Sequence, residues 1–119
     1  MAERLEALAR AYFECWNAHD SAAVAAKFAE AGTLRDWDIA VSGAQAVGEA
    51  NGNIFKAVPG INLTVERIIA DVAKSSAACE ILVHLNDADK TVLKVVDVIE
   101  FDDSGLIKAL RAYKGEQAA

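Results

Sequence analysis

The spacing of apolar residues changes once along this chain. It follows a helical period over roughly the first sixty residues and a period of two thereafter. That switch restricts the fold to a helical half packed on a sheet, since a helix stripe and a one-sided sheet face each need the other to leave water. Leu5, Leu8, Ala9, Tyr12 and Trp16 form one stripe and predict a first helix over about residues 2–17. Asn17-Ala18-His19-Asp20 breaks it, and Asp20 suits the N-cap of a short second helix. That helix would turn Val24, Ala25 and Phe28 inward and end at Gly32. A short strand is expected from Thr33 to about Ile39. Ser42 with Gln45 three residues on has the form of a capping box, opening a third helix to about Val58 that carries Val47, Ile54, Phe55 and Val58 on one side. Gly48 and Gly52 each weaken that helix by about 1 kcal/mol relative to Ala, so they are expected to serve close packing or to leave room for a ligand.

From Ile61 the alternation is that of strands. Ile61, Leu63 and Val65 share one parity, whereas Ile68, Ala70 and Val72 have the opposite one, so an extra residue near Glu66-Arg67 predicts a β-bulge. Strands Ala77–Leu85, Thr91–Phe101 and Leu106–Tyr113 follow, joined by the turns Asn86-Asp87-Ala88-Asp89 and Asp102-Asp103-Ser104-Gly105. Sequential strands with short turns make an antiparallel meander, and a bend turns it into a cup. The expectation is an α+β domain spanning residues 1–119, a cone-shaped curved antiparallel sheet with three N-terminal helices on its concave face.

A chain of 119 residues can bury roughly two-thirds of the surface it exposes unfolded, so it needs no disulfide or metal staple, and hydrophobic residues make up 54% of it. A net charge of −6 argues against a nucleic-acid partner and against an anionic membrane surface. No apolar run nears the roughly 20 residues that span a bilayer. The opening MAERLEALAR holds acids and no apolar h-region, so a cytoplasmic location is expected. Cys15 and Cys79 form no CxxC, His19 and His84 have no ligand spacing, and no P-loop or GxGxxG occurs, so neither metal nor cofactor is expected.

Asp97 is the most informative residue. One parity of its strand reads Leu93, Val95, Asp97, Ile99, Phe101, which sets a carboxyl on the more apolar face. Burial there raises its pKa, and a protonated acid in an apolar site is a hydrogen-bond donor. The competing placement is an Asp that reaches water or pairs with Arg67 or Arg111. Tyr12, on the buried stripe, needs a partner for its hydroxyl, and the competing placement is a core tyrosine satisfied by a backbone carbonyl. Asp36 lies on the short strand with Asp38 at the same parity, and either could serve as a base at a pocket mouth. Trp16, Phe28, Trp37 and Phe55 are expected in the core or in the wall of a pocket for an apolar ring-bearing ligand.

The run Ala11-Tyr12, Asn17-Ala18-His19-Asp20, Phe28-Ala29 and Thr33-Leu34-Arg35-Asp36, with Thr91-Val92, Asp97, Phe101, Gly105, Arg111-Ala112 and Gly115 at the other end, resembles ketosteroid isomerase-like proteins of the NTF2-like (SnoaL-like) superfamily. The resemblance covers nearly the whole chain. It implies a cystatin-like fold and steroid delta-isomerase-like proton transfer on a small apolar carbonyl compound. Position by position, Tyr12 and a protonated Asp97 would form an oxyanion hole and Asp36 would move the proton, a division of labour for which ketosteroid isomerase is itself the worked case. The chain departs from the isomerase pattern at Trp37, where a proline is common, in a shorter loop from Asp36 to Gly43, and at Asn51, where some isomerases place a supporting tyrosine.

Other functions fit the same residues. A SnoaL-like polyketide cyclase would use Asp97 in its ionised form. A limonene epoxide hydrolase-like site would want an Arg where Val95 stands. A non-catalytic binding or dimerisation module is the alternative outside enzymology. In any of these, Leu82, Val92, Val96 and Val98 on the second sheet face are apolar enough to predict a homodimer.

Overall fold

The computed structural model describes residues 1–117. Three helices, α1 (Ala2–Asn17), α2 (Ser21–Ala26) and α3 (Ala44–Ala57), are combined with six strands. These are β1 (Phe28–Arg35), β2 (Ala40–Ser42), β3 (Asn62–Asp71), β4 (Ser76–His84), β5 (Val92–Phe101) and β6 (Ile107–Gln117). The strands form one sheet in the order β2-β1-β6-β5-β4-β3. All neighbours are antiparallel except β1 and β6, which run parallel. The architecture is α+β, with the helices on the concave face of the curved sheet. No helix among the described residues is long and apolar enough to cross a membrane.

Leu5, Ala9, Tyr12, Phe13 and Trp16 are the buried stripe of α1, at the spacing that puts them on one face. The helix stops where His19 takes a left-handed φ of 55°. Asp20 then caps α2, its side chain accepting the Ala23 N–H at 3.0 Å. Packed against the sheet, α1 lies on β3 and β4, and α3 lies on β1 and β2. Gly48 is what lets α2 and α3 touch: a Cβ there would stand 2.8 Å from the Ala25 Cβ.

The bulge in β3 lies where the parity switch puts it. Val65 pairs with Ile81 and Arg67 with Glu80, leaving Glu66 as the extra residue. This bends β3 so that the sheet curls over the helices.

Three local expectations are corrected. The second helix does not run to Gly32 but ends at Ala26, and Phe28 opens β1. Between the pairs Phe28–Ile107 and Thr33–Ala109 this strand carries several residues more than β6, and Gly32 fits there because a Cβ would meet the Ile107 carbonyl oxygen at 2.7 Å. Gly32 therefore serves a close strand approach rather than a helix end. Ser42 does not cap α3. It pairs with Thr33 in β2, and Gly43, at a φ of 96°, is the N-cap without a side-chain bond. The meander also acquires the parallel β1–β6 pairing, which links segments far apart in the chain.

Candidate active site

A cavity of about 290 Å³ opens between α1, α3, the loop after β1 and the concave face of the sheet. That is at the low end for small-ligand sites, which run roughly 300–1,000 Å³. Aliphatic side chains make most of its wall, among them Leu63, Ile81, Val83, Val95 and Leu110 from β3, β4, β5 and β6. Tyr12, Asp36 and Asp97 all line it.

Asp97 is 6% exposed. Its β5 neighbours Val95 and Ile99 on the same face are buried, and its pairing partners across the sheet are Cys79 and Ala112. Desolvation, with the nearby Asp36 charge adding to it, pushes the carboxyl up to about 7. Neither arginine holds it: Arg111 is ion-paired with Glu100, and Arg67 is exposed at the bulge. A carboxyl at about 7 is in large part protonated at neutral pH, and a protonated carboxyl donates a hydrogen bond.

Tyr12 is carried by the middle of α1 and buried against Phe13 and Phe28 in edge-on contacts, with centroids 5.3 and 6.0 Å away. Burial first, then the neighbouring Asp97 and Cys79, raise its phenol well above the ordinary value, so it too holds its proton. Burial likewise lifts the Cys79 thiol to about 12, leaving it neutral and inert at neutral pH.

Asp36 follows the last residue of β1. Its Oδ1 accepts the backbone N–H groups of Asp38 at 2.7 Å and Ile39 at 2.6 Å, which ties the short loop to the carboxylate and fixes its direction. Asp38 also lines the cavity but is exposed. Of the two acids it is Asp36 that is half-buried and whose charge is felt by Asp97.

Trp16 and Trp37 are in the cavity wall, Trp37 at the mouth, 43% exposed and with the Lys114 ammonium 5.2 Å from its ring centroid. Phe28 and Phe55 are not in that wall. Phe28 is core behind Tyr12, and Phe55 packs edge-on to Trp16 and stacks on His19 at 4.5 Å. The His19 Nε2 bonds the Ile61 carbonyl oxygen at 2.5 Å, joining the helix break to the residue before β3. His84 bonds the Thr64 hydroxyl across β3–β4. No group of three or more metal-ligating side chains occurs among the described residues.

Sequence reasoning marked Asn51 only as a departure from the isomerase pattern. It is 3% exposed, lines the cavity and accepts the Trp16 indole N–H at 2.9 Å. Its signal was present: a polar residue within the apolar stripe Val47, Ile54, Phe55, Val58.

The profile of the SnoaL-like domain matches residues 9–110. No curated protein is a significant match. Among solved structures, a protein of unknown function with a cystatin-like fold from Methylobium petroleophilum PM1 has a TM-score of 0.86 at 22% identity, covering 100% of this chain and 80% of that one. A protein from Kribbella flavida DSM 17836 proposed to be a ketosteroid isomerase has a TM-score of 0.80 at 28% identity, over 99% of this chain and 82% of that one. The epoxide hydrolase/cyclase-like enzyme SalBIII, which has a role in pyran ring formation in polyether salinomycin, has a TM-score of 0.80 at 20% identity, over 95% of this chain and 92% of that one.

Proposed function

Because the chain belongs to the SnoaL-like domain family, we propose that it is an enzyme of proton transfer on a small apolar carbonyl compound. The observation that carries this reading is the convergence of Tyr12, Asp36 and Asp97 on one apolar cavity, with the Asp97 carboxyl lifted to about 7. The Kribbella flavida protein, proposed to be an isomerase, supports the class.

In the proposed step the free oxygen of Asp36 takes a proton from the carbon beside the carbonyl. The C–H bond breaks, its electron pair moves into the new C=C bond, and the carbonyl oxygen becomes an enolate. Tyr12 and protonated Asp97 donate hydrogen bonds to that oxygen as its charge grows. Donors fixed in a dry cavity stabilise such charge far better than water does, and one of them is typically worth about 3–4 kcal/mol of barrier. The proton then returns to another carbon of the conjugated system, so the net reaction is an isomerisation and needs no co-reactant. Incubation with a β,γ-unsaturated cyclic ketone tests this through the absorbance of the conjugated enone. Absence of that signal with folded protein rejects isomerase activity on that substrate class.

One observation favours a second reading. A carboxyl at about 7 is also partly ionised at neutral pH, and ionised Asp97 could be the base of a cyclase. Asp97→Asn separates the two, since an amide donates hydrogen bonds but takes no proton. We further propose a homodimer through the outer sheet face, where Val96 and Val98 alternate with the inward residues of β5 and Tyr113 is 57% exposed. Light scattering that gives only monomer at micromolar concentration rejects it.

A further inference from the structure

Asn51 is a polar side chain in an otherwise aliphatic stretch of the cavity wall, one helical turn from Val47 and from Phe55 on α3. Its orientation is fixed from both sides. The Trp16 indole can only donate, so the atom 2.9 Å from it is the amide oxygen. The Val47 carbonyl can only accept, so the atom 2.9 Å from that is the amide nitrogen. A primary amide has two N–H groups, and the Val47 carbonyl takes one of them. Among the described residues the second amide proton has no such acceptor, and Asn51, 3% exposed, lines the cavity.

We propose that Asn51 is a second polar anchor, which selects ligands bearing a further hydrogen-bond-accepting oxygen besides the reacting carbonyl. Trp16 follows Tyr12 by one turn of α1, about 6 Å along that helix, and Asn51 meets the Trp16 end of that pair. The fitting ligand is a compact ring compound with two oxygen functions, a carbonyl at the Tyr12–Asp97 end and a hydroxyl, ether or ketone oxygen near Asn51. A purely hydrocarbon ring system in the same place covers the second N–H and leaves it unpaired, a loss that a matched oxygen avoids. Trp16 acts here as a positioning residue: its indole keeps the amide from turning over and presenting its oxygen to the ligand instead.

This inference rests on the cavity being a ligand site. It is tested by calorimetric titration with the bicyclic ketone decalone and with a set of hydroxydecalones bearing the hydroxyl at successive ring positions. At least one hydroxydecalone is expected to bind the unaltered protein roughly tenfold tighter than decalone, as a satisfied buried donor requires. In Trp16→Phe with Asn51→Leu, which removes both partners of the buried bond together, that ratio is expected to fall to near one. Decalone binding with no hydroxydecalone preferred, or a preference that persists in the double variant, overturns the anchor and leaves the ligand site standing. Failure of every compound to bind overturns both. If the double variant does not fold, the same ratio is read in Asn51→Leu alone, where a fall to near one supports the anchor and a persisting preference overturns it.

Discussion

Asp97 stands directly opposite Cys79 in the β4–β5 ladder. The carboxyl therefore faces a neutral thiol, a weak donor, where a hydroxyl or an arginine would favour its charge. The first prediction follows from that pairing. Side chains directly opposite each other in a ladder have Cβ atoms about 5 Å apart, so Cys79→Ser brings a hydroxyl within reach of the carboxylate. A hydrogen bond to the charged form lowers a carboxyl pKa. Asp97 should then titrate below about 7, whereas Cys79→Ala should leave it near that value. Unchanged titration in the serine variant contradicts the assigned neighbourhood.

The raised carboxyl also makes stability depend on pH. Between the ordinary carboxylate range and about 7, folded Asp97 keeps a proton that the unfolded chain has already released. Its contribution is fully present below the ordinary range and is lost as pH rises through about 7. Asp97→Asn removes the titration. At about pH 8 the variant should be more stable than the parent, by up to about 4 kcal/mol, since each tenfold difference in proton affinity between the folded and unfolded chain is worth about 1.4 kcal/mol. Denaturant melts across pH check this, and parallel curves for the two proteins contradict it.

Tyr12→Phe separates catalysis from folding. The hydroxyl is buried, and the influences on it are burial and neighbouring charge rather than a hydrogen bond. Its removal should leave the melting temperature unchanged or slightly raised, because no buried partner is orphaned. Turnover of a β,γ-unsaturated ketone should fall roughly 10²–10³-fold, mainly in kcat. An unchanged kcat removes Tyr12 from the proposed oxyanion site.

Two glycines of α3 should respond in opposite ways. At Gly52 an added Cβ would lie 3.4 Å from the Ser21 Cβ, an ordinary contact, so Gly52→Ala should stabilise by up to about 1 kcal/mol through helix propensity. At Gly48 it would lie 2.8 Å from the Ala25 Cβ and 3.2 Å from the Ser21 carbonyl oxygen, so Gly48→Ala should destabilise despite the same propensity gain. Thermal melts of the two variants decide it, and a change of the same sign in both contradicts the close α2–α3 contact.

Local periodicity makes much of this architecture legible in the sequence. The α1 stripe, the Asp20 cap, the bulge at Glu66 and the inward side of Asp97 each depend on residues close together in sequence. What was hidden depends on distant partners. Phe28-Ala29-Glu30-Ala31 has helical composition, yet it is drawn into the sheet by β6, and Ser42 loses its cap role to a ladder with Thr33. For the same reason the sequence could not tell which aromatics would reach the cavity. Phe55 turns to Trp16 and His19, and Trp37 turns to the mouth. Asn51 acquires its meaning only from Trp16, which lies 35 positions away in the chain.

The central claim is that Asp97 holds a proton inside the cavity near neutral pH. Carbon-13 NMR of the aspartate side-chain carboxyls, assigned by comparison with Asp97→Asn, reads this directly. One carboxyl should titrate with a midpoint near 7 and be missing from the variant. If the signal assigned to Asp97 instead titrates in the ordinary carboxylate range, about 4, it is ionised at neutral pH and the proposed oxyanion donor does not exist.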